Sequence, residues 1–149
     1  MKSPVALSTL FIALVTAAGS AHALDYVSVA DSSAILYDAP SAKAKKLFVV
    51  NRYLPLEQVV SLDSWVKVRD SSGSLAWIEK QALSNKRFVE VTSPIAMVYE
   101  EPDEDAPLAF NTSQQVALEW LENLGNGWVK VRHPDGMAGY VRATEVWGD

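Results

Sequence analysis

The sequence predicts an all-β protein in which one small domain is made twice. Trp65-Val66-Lys67-Val68-Arg69, a turn with Gly73 and Ala76-Trp77-Ile78 recur 63 residues later as Trp128-Val129-Lys130-Val131-Arg132, Gly136 and Gly139-Tyr140-Val141. Tyr26-Val27-Ser28-Val29 and Leu36-Tyr37-Asp38-Ala39-Pro40 recur 62 residues later as Phe88-Val89-Glu90-Val91 and Val98-Tyr99-Glu100-Glu101-Pro102. Valines alternate with polar or aromatic residues in the longest of these runs, which is the period of a half-buried strand. A repeat of this length built from strand-like runs marks a duplicated β domain.

Residues 1–23 stand outside the repeat. Lys2 gives a positive start, residues 5–18 are almost wholly apolar or small, and Ala21-His22-Ala23 forms an Ala-x-Ala pattern. This reads as a secretory signal peptide cleaved after Ala23, with a periplasmic or secreted mature chain. No later run is apolar enough to cross a bilayer, so no integral membrane segment is expected after cleavage.

The first copy is expected over 24–84, with strands near 26–30, 47–49, 56–61, 65–69 and 75–78. The second is expected over 87–147, with strands near 88–92, 108–110, 116–122, 128–132 and 138–141. Asp70-Ser71-Ser72-Gly73, His133-Pro134-Asp135-Gly136 and Asn126-Gly127 are tight-turn sequences joining antiparallel strands. A single helical turn closes each copy, at 80–83 and 143–146. Long loops at 38–46 and 100–107 follow the first strand region. Only Ser84-Asn85-Lys86 separate the copies, too little for independent tumbling, so one preferred orientation is expected.

The chain has no cysteine. Each copy of about 60 residues must stand on its own core without staples. Charge is uneven: 24–85 carries 7 acidic and 7 basic residues, whereas 86–149 carries 11 and 5. Such an acidic balance disfavours nucleic acid, whose phosphates need clustered Lys and Arg. The loop after Tyr37 holds Lys43, Lys45 and Lys46, while the loop after Tyr99 holds Glu100, Glu101, Asp103, Glu104 and Asp105. One structural position is basic in one copy and acidic in the other.

These motifs resemble the SH3 barrel. Ile35-Leu36-Tyr37-Asp38-Ala39 is similar to the Ala-Leu-Tyr-Asp-Tyr motif, and Gly127-Trp128-Val129-Lys130-Val131-Arg132 is similar to the strand that carries the groove tryptophan. Trp65 takes that place in the first copy. Residues 24–147 together resemble exported tandem bacterial SH3 proteins. The resemblance implies two SH3-like small barrels that bind peptides or cell-wall material, often as accessories to wall hydrolases. The peptide groove of eukaryotic members departs here: its second Tyr is Ala39 or Glu101, its Pro is Glu79 or Arg142, and its following Tyr is Ala82 or Glu145. Half the aromatic floor for Pro-rich ligands is gone.

No catalytic group is assigned. The mature chain has one histidine, His133, in a turn, and without cysteine it offers neither a Cys/His peptidase nor a zinc set. The acidic loop lacks the Gly and spaced ligands of a calcium site. No metal or cofactor is expected. Tyr37, Trp65, Tyr99 and Trp128 either pack within the structure or form a binding shelf. Trp65 and Trp128 are out of phase with the core valines, which favours a shelf. The candidate ligand site is therefore Tyr99 and Trp128 walled by Glu100, Glu101, Asp103, Glu104 and Asp105, with Tyr37 and Trp65 as its first-copy counterpart. Trp77, Trp120 and Trp147 are assigned to the core or the seam. The expected function is a non-enzymatic binding or adaptor module for a peptide, peptidoglycan or an envelope protein. The alternative is a homo-oligomer assembling through complementary basic and acidic loops.

Overall fold

A computed structural model describes residues 24–149; the expected signal peptide lies outside the described residues. The first copy forms β1 (Tyr26–Val29), β2 (Ser33–Tyr37), β3 (Lys46–Asn51), β4 (Pro55–Ser61), β5 (Trp65–Arg69), β6 (Leu75–Glu79) and β7 (Leu83–Ser84). The second forms β8 (Phe88–Val91), β9 (Ile95–Tyr99), β10 (Leu108–Ser113), β11 (Ala117–Asn123), β12 (Trp128–Arg132), β13 (Ala138–Arg142) and β14 (Val146–Trp147). The sheet orders are β3-β2-β6-β5-β4-β1-β7 and β10-β9-β13-β12-β11-β8-β14, one topology used twice. One-turn 3-10 helices sit at Lys80–Ala82 and Ala143–Glu145, where helical turns were expected.

Each copy has seven strands where five were expected. β2 and β9 were read only as the entry to a loop. β7 and β14 are two residues long, too short to show a period. Each short strand nonetheless extends its sheet by pairing with β1 or β8.

Strict alternation builds both cores. Val66 and Val68 point inward with Val27, Val29, Leu36, Leu56 and Ile78; Val129 and Val131 do so with Val89, Val91, Val98, Leu118 and Val141. Residues from nearly every strand of one sheet meet in one cluster, so each sheet curls around its own core. On the outer face Glu57 pairs with Arg69, and Glu119 with Arg132 at the equivalent place. The repeat offset grows from 62 to 63 in the β4–β5 turn, three residues in the first copy. The matching β11–β12 turn has four, with Gly125 and Gly127 at positive φ, around the expected Asn126-Gly127 turn.

The copies meet through the outward rows of β1 and β8. Tyr26 packs edge-on against Trp147 at 5.2 Å, and Tyr53 stacks on Phe88 at 4.5 Å. The Arg87 guanidinium lies 4.3 Å from the Trp120 ring centre and 5.4 Å from Tyr26, and its Nη2 donates to the Gly148 carbonyl. Ser28 Oγ donates to the Lys86 carbonyl at 2.7 Å. Trp120 and Trp147 thus sit at core and seam as expected. Trp77 does not: it lies on the outer face of β6 with Lys67 Nζ 5.9 Å from its ring centre, because it is out of phase with buried Ala76 and Ile78.

Gly139 stands where the first copy has Ala76. A Cβ there would come 2.5 Å from the Tyr99 carbonyl oxygen and 2.8 Å from Val98 Cγ1. Gly139→Ala should therefore cost about 1–3 kcal/mol as an overpacking change, read as a lower urea midpoint. The reverse change, Ala76→Gly, should cost only about 0.5–1 kcal/mol.

Candidate ligand-binding grooves

The loop after β2 and the loop after β9 share one backbone design. Asp38 N–H donates to the Lys45 carbonyl and Ser41 N–H to Ala39; Glu100 N–H donates to Pro107 and Asp103 N–H to Glu101. Asp38 Oδ1 accepts from Lys45 N–H in the first loop, and Asp103 Oδ1 from Asp105 N–H in the second. The basic and acidic loops therefore occupy equivalent positions. Glu100, Glu101, Asp103, Glu104 and Asp105 are all exposed. Among the described residues no three acidic or imidazole groups converge on a common point.

Each loop leads to an aromatic pair. Tyr37 meets Trp65 edge-on at 5.3 Å, and Tyr99 meets Trp128 at 5.8 Å, both at 87°. The structure thus brings the predicted aromatics together in both copies. The tryptophans are on the outer side of the strand, as their phase requires.

Trp128 is nevertheless not an open shelf: only 5% of it is accessible. The reason lies across the ladder. Trp128 pairs in register with Arg142, and Trp65 with Glu79. The Arg142 guanidinium lies 4.4 Å from the Trp128 ring centre, while its Nε donates to Glu104 Oε1 at 2.8 Å. Cation, indole face and carboxylate complete one another. Of the predicted acidic wall, Glu104 reaches the aromatic pair, but it does so through the protein's own arginine. Sequence reasoning missed Arg142 as a lid, although its placement beside the groove was visible from the motif alignment.

Glu145 adds a second carboxyl to this closed groove. Burial raises its pKa above the ordinary value of 4.5, and Glu104 raises it further, against a hydrogen bond from the Met97 backbone and the pull of Arg142.

The first copy is open at the same place. A carboxylate is repelled by the π face of an indole, and Glu79 instead accepts from Gln81 Nε2 at 2.6 Å. Trp65 stays half-buried, while Tyr37, at 6% accessible, is a wall and not a surface. Asp63, Ser64, Trp65, Glu79, Lys80 and Gln81 line a cleft of about 500 Å³. A smaller cleft of about 180 Å³ adjoins it at Glu79 and reaches Tyr37, Ile35 and Asp31. Lys80 Nζ is engaged by Ser61 Oγ at 3.1 Å and by the Leu62 carbonyl at 3.4 Å. The cleft therefore sets an indole beside two carboxylates.

Removing the lid should expose the second tryptophan. Arg142→Ala should shift the Trp128 indole N–H resonance and raise acrylamide quenching, while lowering stability by about 1 kcal/mol or less, because the ion pair is largely exposed. A raised carboxyl pKa means the folded state holds its proton longer. Glu145 therefore contributes a stability loss as pH rises from 4.5 through its folded value. Glu145→Gln should flatten that part of a stability–pH profile and stabilise the protein at neutral pH.

Comparison with known proteins extends the picture. No curated protein matches the sequence. Among solved structures the chain is similar to NlpC2 from Trichomonas vaginalis, at 12% identity and TM-score 0.40, covering 87% of this chain and 50% of that one. NlpC1 from the same organism is similar at 14% identity and TM-score 0.40, covering 94% and 51%. An NlpC/P60 family protein from Bacillus cereus is similar at 18% identity and TM-score 0.38, covering 82% and 55%. The chain spans about half the length of each of these proteins. The family model of the bacterial SH3 domain matches residues 30–85 and again 92–148, which is most of the described chain. The duplicated sheet and its paired tryptophan strands are therefore two bacterial SH3 domains in tandem, and the chain belongs to that family.

Proposed function

We propose that the chain is a non-enzymatic binding module of the cell envelope, and that its first domain takes the ligand. The ligand is a peptide with a cationic side chain, carried by a wall stem peptide or by an envelope protein. The observation that carries this reading is Arg142 lying on Trp128 beside Glu104. The second domain holds a cation of its own in the place where the first domain presents Trp65, Asp63 and Glu79 to solvent. An ammonium or guanidinium group with an apolar stem suits an indole flanked by carboxylates. Glu100, Glu101, Asp103 and Asp105 make no ion pair among the described residues and add a negative field that attracts the same ligand at longer range.

A second reading, self-association, is favoured by one surface. The edge strand β3 carries Phe48 and Val49 at 60% and 71% accessible, directly after Lys43, Lys45 and Lys46. An exposed apolar edge next to a basic loop suits an acidic partner copy. A salt-dependent oligomer in sedimentation velocity would favour this reading over the first.

The test of the first reading is co-sedimentation with purified peptidoglycan, with a pull-down from periplasmic extract in parallel. Trp65→Ala should cut recovery at least tenfold. Glu79→Arg, which installs the second domain's lid in the first, should do the same without unfolding the protein. Binding should weaken as salt rises. Unchanged recovery with both variants would overturn the assignment.

A further inference from the structure

The second domain carries a carboxyl group that its own structure does not satisfy. Glu90 stands on β8 where the first domain has Ser28 on β1. Alternation sends Val89 and Val91 into the core and turns Phe88 and Glu90 toward the first domain. Ser28 solves its burial with one hydrogen bond to the Lys86 carbonyl. Glu90 does not: it is 7% accessible, its Oε2 is sealed from solvent, and no donor reaches that oxygen. Glu57 and Glu119, also on outer faces, each have an arginine. A buried carboxyl oxygen without a donor costs more than an ordinary lost hydrogen bond.

Glu90 lines a cleft of about 300 Å³ between the two domains. The opposite side is the end of β3 and the turn that follows, with Val49, Val50, Arg52 and Leu54, and Gln115 lies beside Glu90. Arg52 makes no salt bridge among the described residues; its guanidinium lies 5.0 Å from the Tyr53 ring centre. Gln115 is held at φ 69°, a conformation unfavourable for a residue with a side chain. The cleft thus joins one acid, one base, the side-chain amides of Asn51 and Gln115 and an apolar wall.

We propose that this cleft is a binding site for a small zwitterion with an apolar side chain, an amino acid or a dipeptide. The ammonium group donates to Glu90 Oε1, the carboxyl oxygen that is not sealed, the carboxylate meets Arg52, and the side chain lies against Val49, Val50 and Leu54. A purely cationic ligand would face Arg52, and a purely anionic one would face Glu90, so both charges on one molecule fit best. The site is separate from the groove at Trp65 and does not depend on its occupant.

Titration of the mature chain with alanyl-leucine, followed by the backbone resonances of Gln115 and Arg52 and by calorimetry, tests this. Alanyl-leucine should bind, and N-acetyl-alanyl-leucine and alanyl-leucine amide should each bind at least tenfold more weakly. Free leucine in a parallel arm distinguishes an amino-acid site from a dipeptide site. Glu90→Gln should abolish binding, and Glu90→Ser, which restores the first domain's solution, should abolish it with the fold intact by circular dichroism. Trp65→Ala should leave alanyl-leucine binding unchanged. Absence of binding by alanyl-leucine and leucine at millimolar concentration would overturn the proposal, as would binding that survives Glu90→Gln or is lost with Trp65→Ala.

Discussion

The two-residue period of the β-strand is the constraint on which this molecule depends. Every strand that sends valines into a core must send the residues between them outward. With no cysteine to staple either domain, the inward rows have to supply the cohesion, and they do so with small, fully buried aliphatics such as Val29, Val66, Val89 and Val129. The outward rows are then available for other work. Those of β1 and β8 hold aromatic residues and build the seam between the domains. Those of β5 and β12 hold tryptophan and build the grooves. Seam and groove are two uses of the same alternation.

What separates the two grooves is a single cross-strand pair. Opposite residues in an antiparallel ladder lie close enough for their side chains to determine each other's exposure. Arginine opposite Trp128 gives a flat cation that covers the ring and reaches Glu104. Glutamate opposite Trp65 cannot cover a ring whose face is itself negative. The loops have changed sign in step: acidic where the lid is basic, basic where the opposing residue is acidic. Duplication kept the backbone, and the two copies diverged in charge at the same two places.

Most of the fold was legible in the sequence because its signals are local. The Trp-Val-Lys-Val-Arg strands, the Gly-containing turns and the closing helical turns need only short-range patterns. β7 and β14 were not legible, since two residues carry no period and these strands exist only because β1 and β8 offer a free edge. The phase of Trp65 and Trp128 was read correctly as outward. Outward was then equated with exposed, and this held better for Trp65 than for Trp128. Arg142 lies fourteen positions beyond Trp128, and its arrival over the ring is a property of the β12–β13 register, not of either strand alone. Glu90 was hidden for a similar reason. It reads as an ordinary polar residue in an alternating strand until the other domain is packed against it.

The arginine lid has a kinetic and thermodynamic side. Arg142 is fixed to the same molecule as the ring that it covers, so it competes with any incoming cation as a tethered rival of high effective concentration. A dilute free ligand must displace it and break its bond to Glu104 as well. The affinity of the second groove for outside cations is thus lowered by the fraction of time that the lid stands open. Because the lid's ion pair is exposed, that fraction rises with ionic strength, even as salt weakens the attraction of the ligand itself. Two domains with one backbone would in this way differ in affinity for the same cation, the lidded groove filling only at concentrations where the open one is already occupied.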